Sequence, residues 1–160
     1  MARFVNDEEL ARVVAQLRRE GRSVVFTNGA FDLLHVGHIR YLQAAAREGD
    51  VLIVALNSDE SVRALKGERR PVMPLDERLE MIAAIECVDY VTSFPETDVS
   101  RLLLLLKPDV HAKGTDYTVN TVPEIETVRA YGGRVAIVGD AKEHNTTDIL
   151  ARIRGGKADG

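Results

Sequence analysis

Two histidines stand three apart, His35 and His38, with Gly37 between them, inside the stretch FTNGAFDLLHVGHIRYLQAAA from Phe26 to Ala46. Imidazoles bind metals, move protons or donate to anions, and the setting decides between these uses. Here a β-branched and aromatic run ends at Asn28, and a helical pattern starts near Val36. Between them, Gly29, Ala30 and Phe31 let the backbone turn tightly and approach a ligand closely. A helix starting near Val36 places both rings at its amino end, where unpaired N–H groups and a partial positive charge favour an anion. The helix dipole disfavours an imidazolium there. The rings are therefore expected to stay neutral until a phosphate arrives and makes charge-assisted donors of them. Such a device suits phosphoryl chemistry, which rests on positioning and on neutralising charge. Half of a metal site is a second reading of H-x-x-H, although no cysteine or third histidine lies nearby in the sequence. Two surface histidines without a task are a third.

Other segments carry chemistry of the same kind. In NSDESV, after Asn57, Ser58 or Asp59 is placed to cap a helix. LKGERRP, with Lys66, Arg69 and Arg70, is basic and glycine-bearing, as a solvated loop would be. Arg78 falls in the first turn of the helical pattern DERLEMIAAIE, a poor place for a cation. It answers either to a bound anion or to a neighbouring carboxylate. In KGTDY, from Lys113 to Tyr117, Gly114, Asp116 and Tyr117 suit hydroxyl recognition and packing against a base or sugar. A plain turn is the alternative. In HNTTDIL, Thr146 and Thr147 either cap a helix or offer hydroxyls to a phosphate at its amino end.

The elements that must position these residues alternate. Leu10, Val13, Val14 and Leu17 recur at helical spacing between Asp7 and Glu20, and Gly21 ends the pattern. SVVFTN (23–28) reads as a buried strand, and VLIVALN (51–57) as a second with no polar alternation, as in a parallel strand covered on both faces. VDYVTSF, PDVHAKG and RVAIVG supply three more. Helices are expected over Val36 to Gly49, Ser58 to Gly67, Pro74 to Glu86, and in VSRLLLLLK, EIETVRAYGG and TTDILARIR. Strands separated by helices imply an α/β fold: a single-domain, Rossmann-like open parallel sheet of about five strands with helices on both faces. The domain is expected over 1–154, with 155–160 a disordered tail. Ligands of such sheets sit beyond the carboxyl ends of the strands, near a switch in strand order. The chemistry should then lie at 28–38, 57–59, 94, 111–117 and 139–147.

Bulk properties agree with a folded enzyme-sized domain of 160 residues, 45% hydrophobic and 29% charged. The net charge of −4 does not suit a nucleic-acid coat. Cys87 is the only cysteine, so no intrachain disulfide forms. The first ten residues lack the apolar core of a signal peptide, and the Leu102 to Leu106 run is too short to cross a bilayer. That run is either one buried side of a helix or part of a subunit contact. The cytoplasm is the expected location, with no nucleic-acid or membrane partner.

GAFDLLHVGHIRYLQAA resembles the signature of the H-x-G-H nucleotidyltransferase superfamily, which includes cytidylyltransferases and adenylyltransferases. The segments from Gly49 to Glu96 and LKPDVHAKGTDY resemble one branch of it, the D-glycero-β-D-manno-heptose 1-phosphate adenylyltransferases. The likeness runs from about Phe26 to Ile153. It implies transfer of AMP from ATP to a sugar 1-phosphate, with Mg²⁺ on the triphosphate, few protein ligands to it and no dedicated metal site. His35 and His38 are then catalytic, with Lys66 closing over the phosphates. Asn28, Gly29, Ala30, Phe31, Gly37, His38, Lys113, Gly114, Asn145, Thr146 and Thr147 would bind nucleotide. Asp32, Asn57, Ser58, Asp59, Arg78, Asp116 and Tyr117 would serve the acceptor, with Asp32 orienting a histidine or a metal-bound water. Asn145 departs from the usual Ser-Thr-Thr, which alters the donor pattern at that phosphate. The resemblance further implies a homodimer or larger. Relatives often carry a fused kinase; with none in these 160 residues, a separate sugar kinase is expected to supply the acceptor. A cytidylyltransferase acting on glycerol 3-phosphate, and a nucleotide-binding regulatory module without turnover, are the competing readings.

Overall fold

The computed structural model describes residues 1–140 and 146–155. In chain order the elements are β1 (Arg3–Phe4), α1 (Asp7–Arg19), β2 (Val24–Gly29), α2 (Val36–Ala46), β3 (Val51–Asn57), α3 (Asp59–Lys66), α4 (Leu75–Ala83), β4 (Tyr90–Phe94), α5 (Ser100–Leu106), β5 (Val110–Lys113), a 3₁₀ turn at Val119–Thr121, α6 (Ile125–Ala130), β6 (Arg134–Ile137) and α7 (Thr146–Gly155).

The strands form one sheet in the order β1-β4-β3-β2-β5-β6, and every pairing is parallel. Alternate residues of a strand face opposite sides, and here both sides are apolar. Val24 and Phe26 of β2, with Val51, Ile53 and Ala55 of β3, meet Leu10, Val14 and Leu17 of α1 and Leu102, Leu103 and Leu106 of α5. Val25 of β2, with Leu52, Val54 and Leu56 of β3, meets Leu42 and Ala45 of α2 and Ile82 of α4 on the other side. All seven residues of β3 are buried, which is why its sequence shows no polar alternation.

The sheet has six strands where about five were expected. The extra one, β1, pairs only Arg3 with Tyr90 and Phe4 with Val91 at the edge. Two residues carry no readable period. Helix α1 follows its sequence signals closely. The Asn6 side chain accepts from the Glu9 N–H, acids fill its first turn and Arg18 and Arg19 its last. Gly21 follows in the left-handed region at φ 71°. The leucine run of α5 buries one side in the core, while Leu104 and Leu105 face outward.

Strand order reverses between β2 and β5. β2 leads through α2 to β3 on one side, while the chain returns through α5 to β5 on the other. The carboxyl ends of β2 and β5 therefore stand side by side at the switch point.

Candidate active site

The site begins where β2 ends. Thr27, fully buried, and Tyr41 of α2 each place a hydroxyl oxygen 3.0 Å from the Ala112 carbonyl oxygen of β5. The two hydroxyls also contact each other, so one donates to the carbonyl and the other to its neighbouring hydroxyl. Three elements are thus tied at the floor of the crevice. Burial pushes the Tyr41 phenol well above its usual range, against the opposing effect of Thr27.

The turn that follows is tight. A Cβ on Gly29 would lie 3.0 Å from the Phe31 ring. Phe31 (φ 49°) and Leu33 (φ 50°) are left-handed without being glycine, which costs about 1–3 kcal/mol each. Between them, Asp32 is 2% exposed. Its carboxylate accepts from the Val72 N–H at 2.8 Å, the Met73 N–H at 2.9 Å and Arg70 Nε at 3.0 Å. Burial alone would raise the Asp32 carboxyl; these donors outweigh it and hold the group below the usual carboxylate range. Asp32 is therefore a clasp between the turn after β2 and the segment before α4.

The histidines stand where the spacing put them. His35 is the N-cap of α2 and accepts at Nδ1 from the Gly37 N–H at 3.1 Å. His38, at the third helical position, accepts at Nδ1 from the His35 N–H at 3.2 Å. The rings pack with centroids 3.9 Å apart, and Phe31 lies 5.6 Å from the His38 ring. This is a capping box built from imidazoles. A ring nitrogen that accepts from a backbone N–H carries no proton, so each neutral ring holds its proton on Nε2. Both rings are thereby defined as Nε2–H donors.

Arg78 has the neighbouring carboxylate partner that its place in the first helical turn allowed, beside the substrate contact that the resemblance implies. Arg78 is 1% exposed. Nε donates to the Met73 carbonyl, Nη1 to the carbonyls of Ala30 at 2.7 Å and Asn57 at 2.9 Å, and Nη2 to Asp59 at 2.7 Å. It braces the ends of β2 and β3 against the start of α4. Asn57, Ser58 and Asp59 share that framework. Asn57 Nδ2 donates to Ser61 Oγ, the Ser58 hydroxyl accepts from the Ser61 N–H, and Asp59 pairs with Arg78.

Lys66 is the last residue of α3 and is exposed. With Gly67 to Arg70 it forms one wall of a cleft of about 580 Å³, whose other wall is Leu150, Ala151 and Arg154 of α7. Across the switch point, Lys113 Nζ lies 5.1 Å from the centroid of the Tyr117 ring. Burial lowers the Lys113 ammonium, and Glu124 opposes that shift. Gly114 to Tyr117 form a turn closed by the Tyr117 N–H on the Gly114 carbonyl, with Asp116 exposed on it. The Thr115 hydroxyl donates to the Asp140 carbonyl, and Arg40 of α2 pairs with the Asp140 carboxylate. Asn28, Gly29, Ala30 and Gly37 fall on the strand end and helix start that flank the crevice. Asn145 lies outside the described residues, and of Thr146 and Thr147 only the backbone, the first turn of α7, is described. Among the described residues no group of three His, Cys, Asp or Glu could hold a metal ion.

Tyr41, Glu124 and the clasp made by Arg70 carry weight that sequence reasoning missed, while His111 falls at the start of the expected 111–117 stretch. His111 Nε2 lies 3.6 Å from Glu124 Oε2 behind the end of β5. Burial works to raise the Glu124 carboxyl, and His111 and Lys113 outweigh it. No local pattern marks these residues, since their partners are remote in the chain.

The cytidylyltransferase-like family matches this chain over residues 26–151. Among curated proteins, the chain is 47% identical over 152 residues to the bifunctional protein HldE of Trichlorobacter lovleyi, and 48% identical over 155 residues to that of Geotalea uraniireducens. These alignments cover 95% and 97% of this chain, which spans about a third of the relatives' own length (31% and 32%). Among solved structures, a lipopolysaccharide core biosynthesis protein of Thermoplasma volcanium is similar with a TM-score of 0.65 and 28% identity, covering 76% of this chain and 100% of that one. Pantothenate synthetase of Thermus thermophilus shares the fold, with a TM-score of 0.63 at 22% identity, over 88% of this chain and 63% of that one.

Proposed function

The chain belongs to the cytidylyltransferase-like family, and on that premise we propose that it is a nucleotidyltransferase that moves AMP from ATP to D-glycero-β-D-manno-heptose 1-phosphate. The products are ADP-heptose, a precursor for lipopolysaccharide heptose, and pyrophosphate. The observation that carries the reading is the imidazole capping box at the start of α2, which fixes both rings beside the switch point through Nδ1 and leaves Nε2 as the nitrogen that bears the proton.

An oxygen of the sugar phosphate attacks the α-phosphorus of ATP, and the bond to the bridging oxygen of the pyrophosphate breaks. The nucleophile is already an anion, so no covalent enzyme intermediate and no general base are needed. Charge grows on the phosphoryl oxygens in the transition state, and His35 and His38 meet it with donors whose orientation is set before the substrate arrives. Lys66, on the rim of the cleft, closes toward the leaving phosphates. Asn28 to Phe31 and Gly37 offer backbone to the nucleotide, Thr146 and Thr147, which open α7, serve its phosphates together with Asn145, and Lys113 to Tyr117 face the sugar or the base. A divalent ion, Mg²⁺ in this proposal, would enter with the triphosphate and supply neutralising charge there.

The relatives are named bifunctional and are about three times as long as the matched segment. A sugar kinase, fused or separate, would supply the sugar 1-phosphate. Exposed Leu104 and Leu105 suit a contact between two copies, which light scattering would test. No helix among the described residues is long and apolar enough to cross a membrane, and a cytoplasmic site of action fits the proposed substrates.

Release of pyrophosphate, measured with ATP, CTP, GTP and UTP against heptose 1-phosphate, glycerol 3-phosphate and other sugar 1-phosphates, tests the reading. Turnover with ATP and the heptose phosphate is expected. Turnover confined to CTP and glycerol 3-phosphate would replace it.

A further inference from the structure

We infer that Arg70 is a phosphate-binding residue: its guanidinium, held at one side by Asp32, offers its other side to a phosphoryl group in the cleft between the Lys66 segment and α7. The inference rests on the phosphoryl-transfer reading and adds a contact to it. Arg70 is 7% exposed, and its Nε donates to Asp32 at 3.0 Å. Its Nη2 is buried and has no hydrogen-bond partner among the described residues. A buried guanidinium nitrogen without an acceptor is costly, and a missing ligand is one of the few things that explain it.

Three further observations point to an anion. The clasp uses both Asp32 oxygens on Val72, Met73 and Arg70 Nε, so the guanidinium is oriented without its fork being filled. Arg70 lines the cleft with Lys66, Arg69 and Arg154, against one acid, Glu68. Asp32 stands three residues before His35 and Arg70 four after Lys66. The pair therefore links the histidine turn to the lysine segment. A planar fork with one edge pinned to a carboxylate is preset to bind a phosphate through the other.

The phosphate could belong to the nucleotide or to the acceptor. Arg70→Lys keeps the charge and removes the fork. Calorimetry with inorganic pyrophosphate and with Mg·ATP, together with KM for each substrate, separates the two sources. A loss of about ten- to a hundredfold in pyrophosphate affinity, with Tm near that of the parent, assigns the contact to the nucleotide. Unchanged pyrophosphate binding with a similar rise in acceptor KM assigns it to the sugar phosphate. A folded variant with both unchanged overturns the inference. A crystal structure of the parent chain with pyrophosphate and sugar phosphate gives an answer that needs no variant: a phosphate oxygen on Arg70 Nη2 is expected, and a water there with all phosphates elsewhere refutes it. Should the chain turn over none of the nucleotides yet lose pyrophosphate affinity in Arg70→Lys, the proposed reaction fails and this contact stands.

Discussion

The two turns that flank the switch point are built in opposite ways. The turn after β2 is buried and strained, with left-handed Phe31 and Leu33 locked by the Asp32 clasp and the Arg78 brace. The turn after β5 is open, with Thr115 and Asp116 exposed and the chain closed by one backbone bond at Tyr117 and a hydroxyl contact to Asp140. In the proposed reaction transition-state charge must be met by groups that do not reorganise, and the first turn suits that. A sugar or base is gripped through shape and hydroxyls, and a looser turn can adapt to it. The contrast teaches that the stiff half of the site is the one the fold strains to keep.

Breaking the brace should have the largest effect. Arg78→Ala removes a buried cation and leaves Asp59 and three carbonyls unmatched, so urea unfolding should show a loss of about 3–5 kcal/mol. A loss under about 1 kcal/mol would mean that the first turn does not depend on it.

Next comes the chemistry of that turn. His38→Ala should lower kcat for pyrophosphate release by about a hundredfold to a thousandfold, while circular dichroism shows a folded chain that has lost about 1 kcal/mol with its cap. Near-normal turnover would remove His38 from the reaction.

The clasp adds a pH dependence. The Asp32 carboxyl titrates lower in the folded chain than in the unfolded one. Its contribution is thus fully present above the unfolded value near about 4 and is lost as pH falls through the folded value. Stability measured from neutral pH to pH 2 should decline in that acidic window in the parent. Asp32→Asn, less stable at neutral pH by about 1.5–3 kcal/mol, should decline less. Parallel curves would separate the carboxylate from the turn's stability.

The smallest effect belongs to the open turn. Tyr117→Ala should raise the KM of one substrate by about tenfold with kcat within a fewfold, since one aromatic contact contributes about 0.5–1.5 kcal/mol beyond its area. Stability should change by about 1 kcal/mol or less. A collapse of kcat instead would show that the open turn takes part in the chemistry.

Much of this was legible in the sequence. The unbroken apolar run of β3, the heptad-like spacing in α1 and the glycines that follow helices name their elements directly. The histidine pair was legible for the same reason: a helix cap is a local event, written within four residues. What escaped was remote. Arg70 meets Asp32 across 38 positions, and Arg78 meets Ala30 across 48 and Asn57 across 21. A basic residue in a loop or a first helical turn looks the same whether its partner is a substrate or the fold's own carbonyls. The hydrogen bonds each one makes tell the two apart, and those partners are brought together only in the assembled sheet. β1 escaped for a humbler reason, since two residues cannot display an alternation.

One consequence reaches beyond the present chain. In α2 the two rings proposed for the chemistry are also the first stitch of the helix, with Nδ1 capping the backbone and Nε2 left for the proposed phosphate contact. Nδ1 and Nε2 can therefore be interrogated apart. Asparagine imitates the inner nitrogen and leaves the outer one missing, whereas glutamine reaches outward and abandons the inner one. A pair of such replacements would weigh scaffold against reactivity within a single side chain, a separation that most enzymes' working groups do not permit.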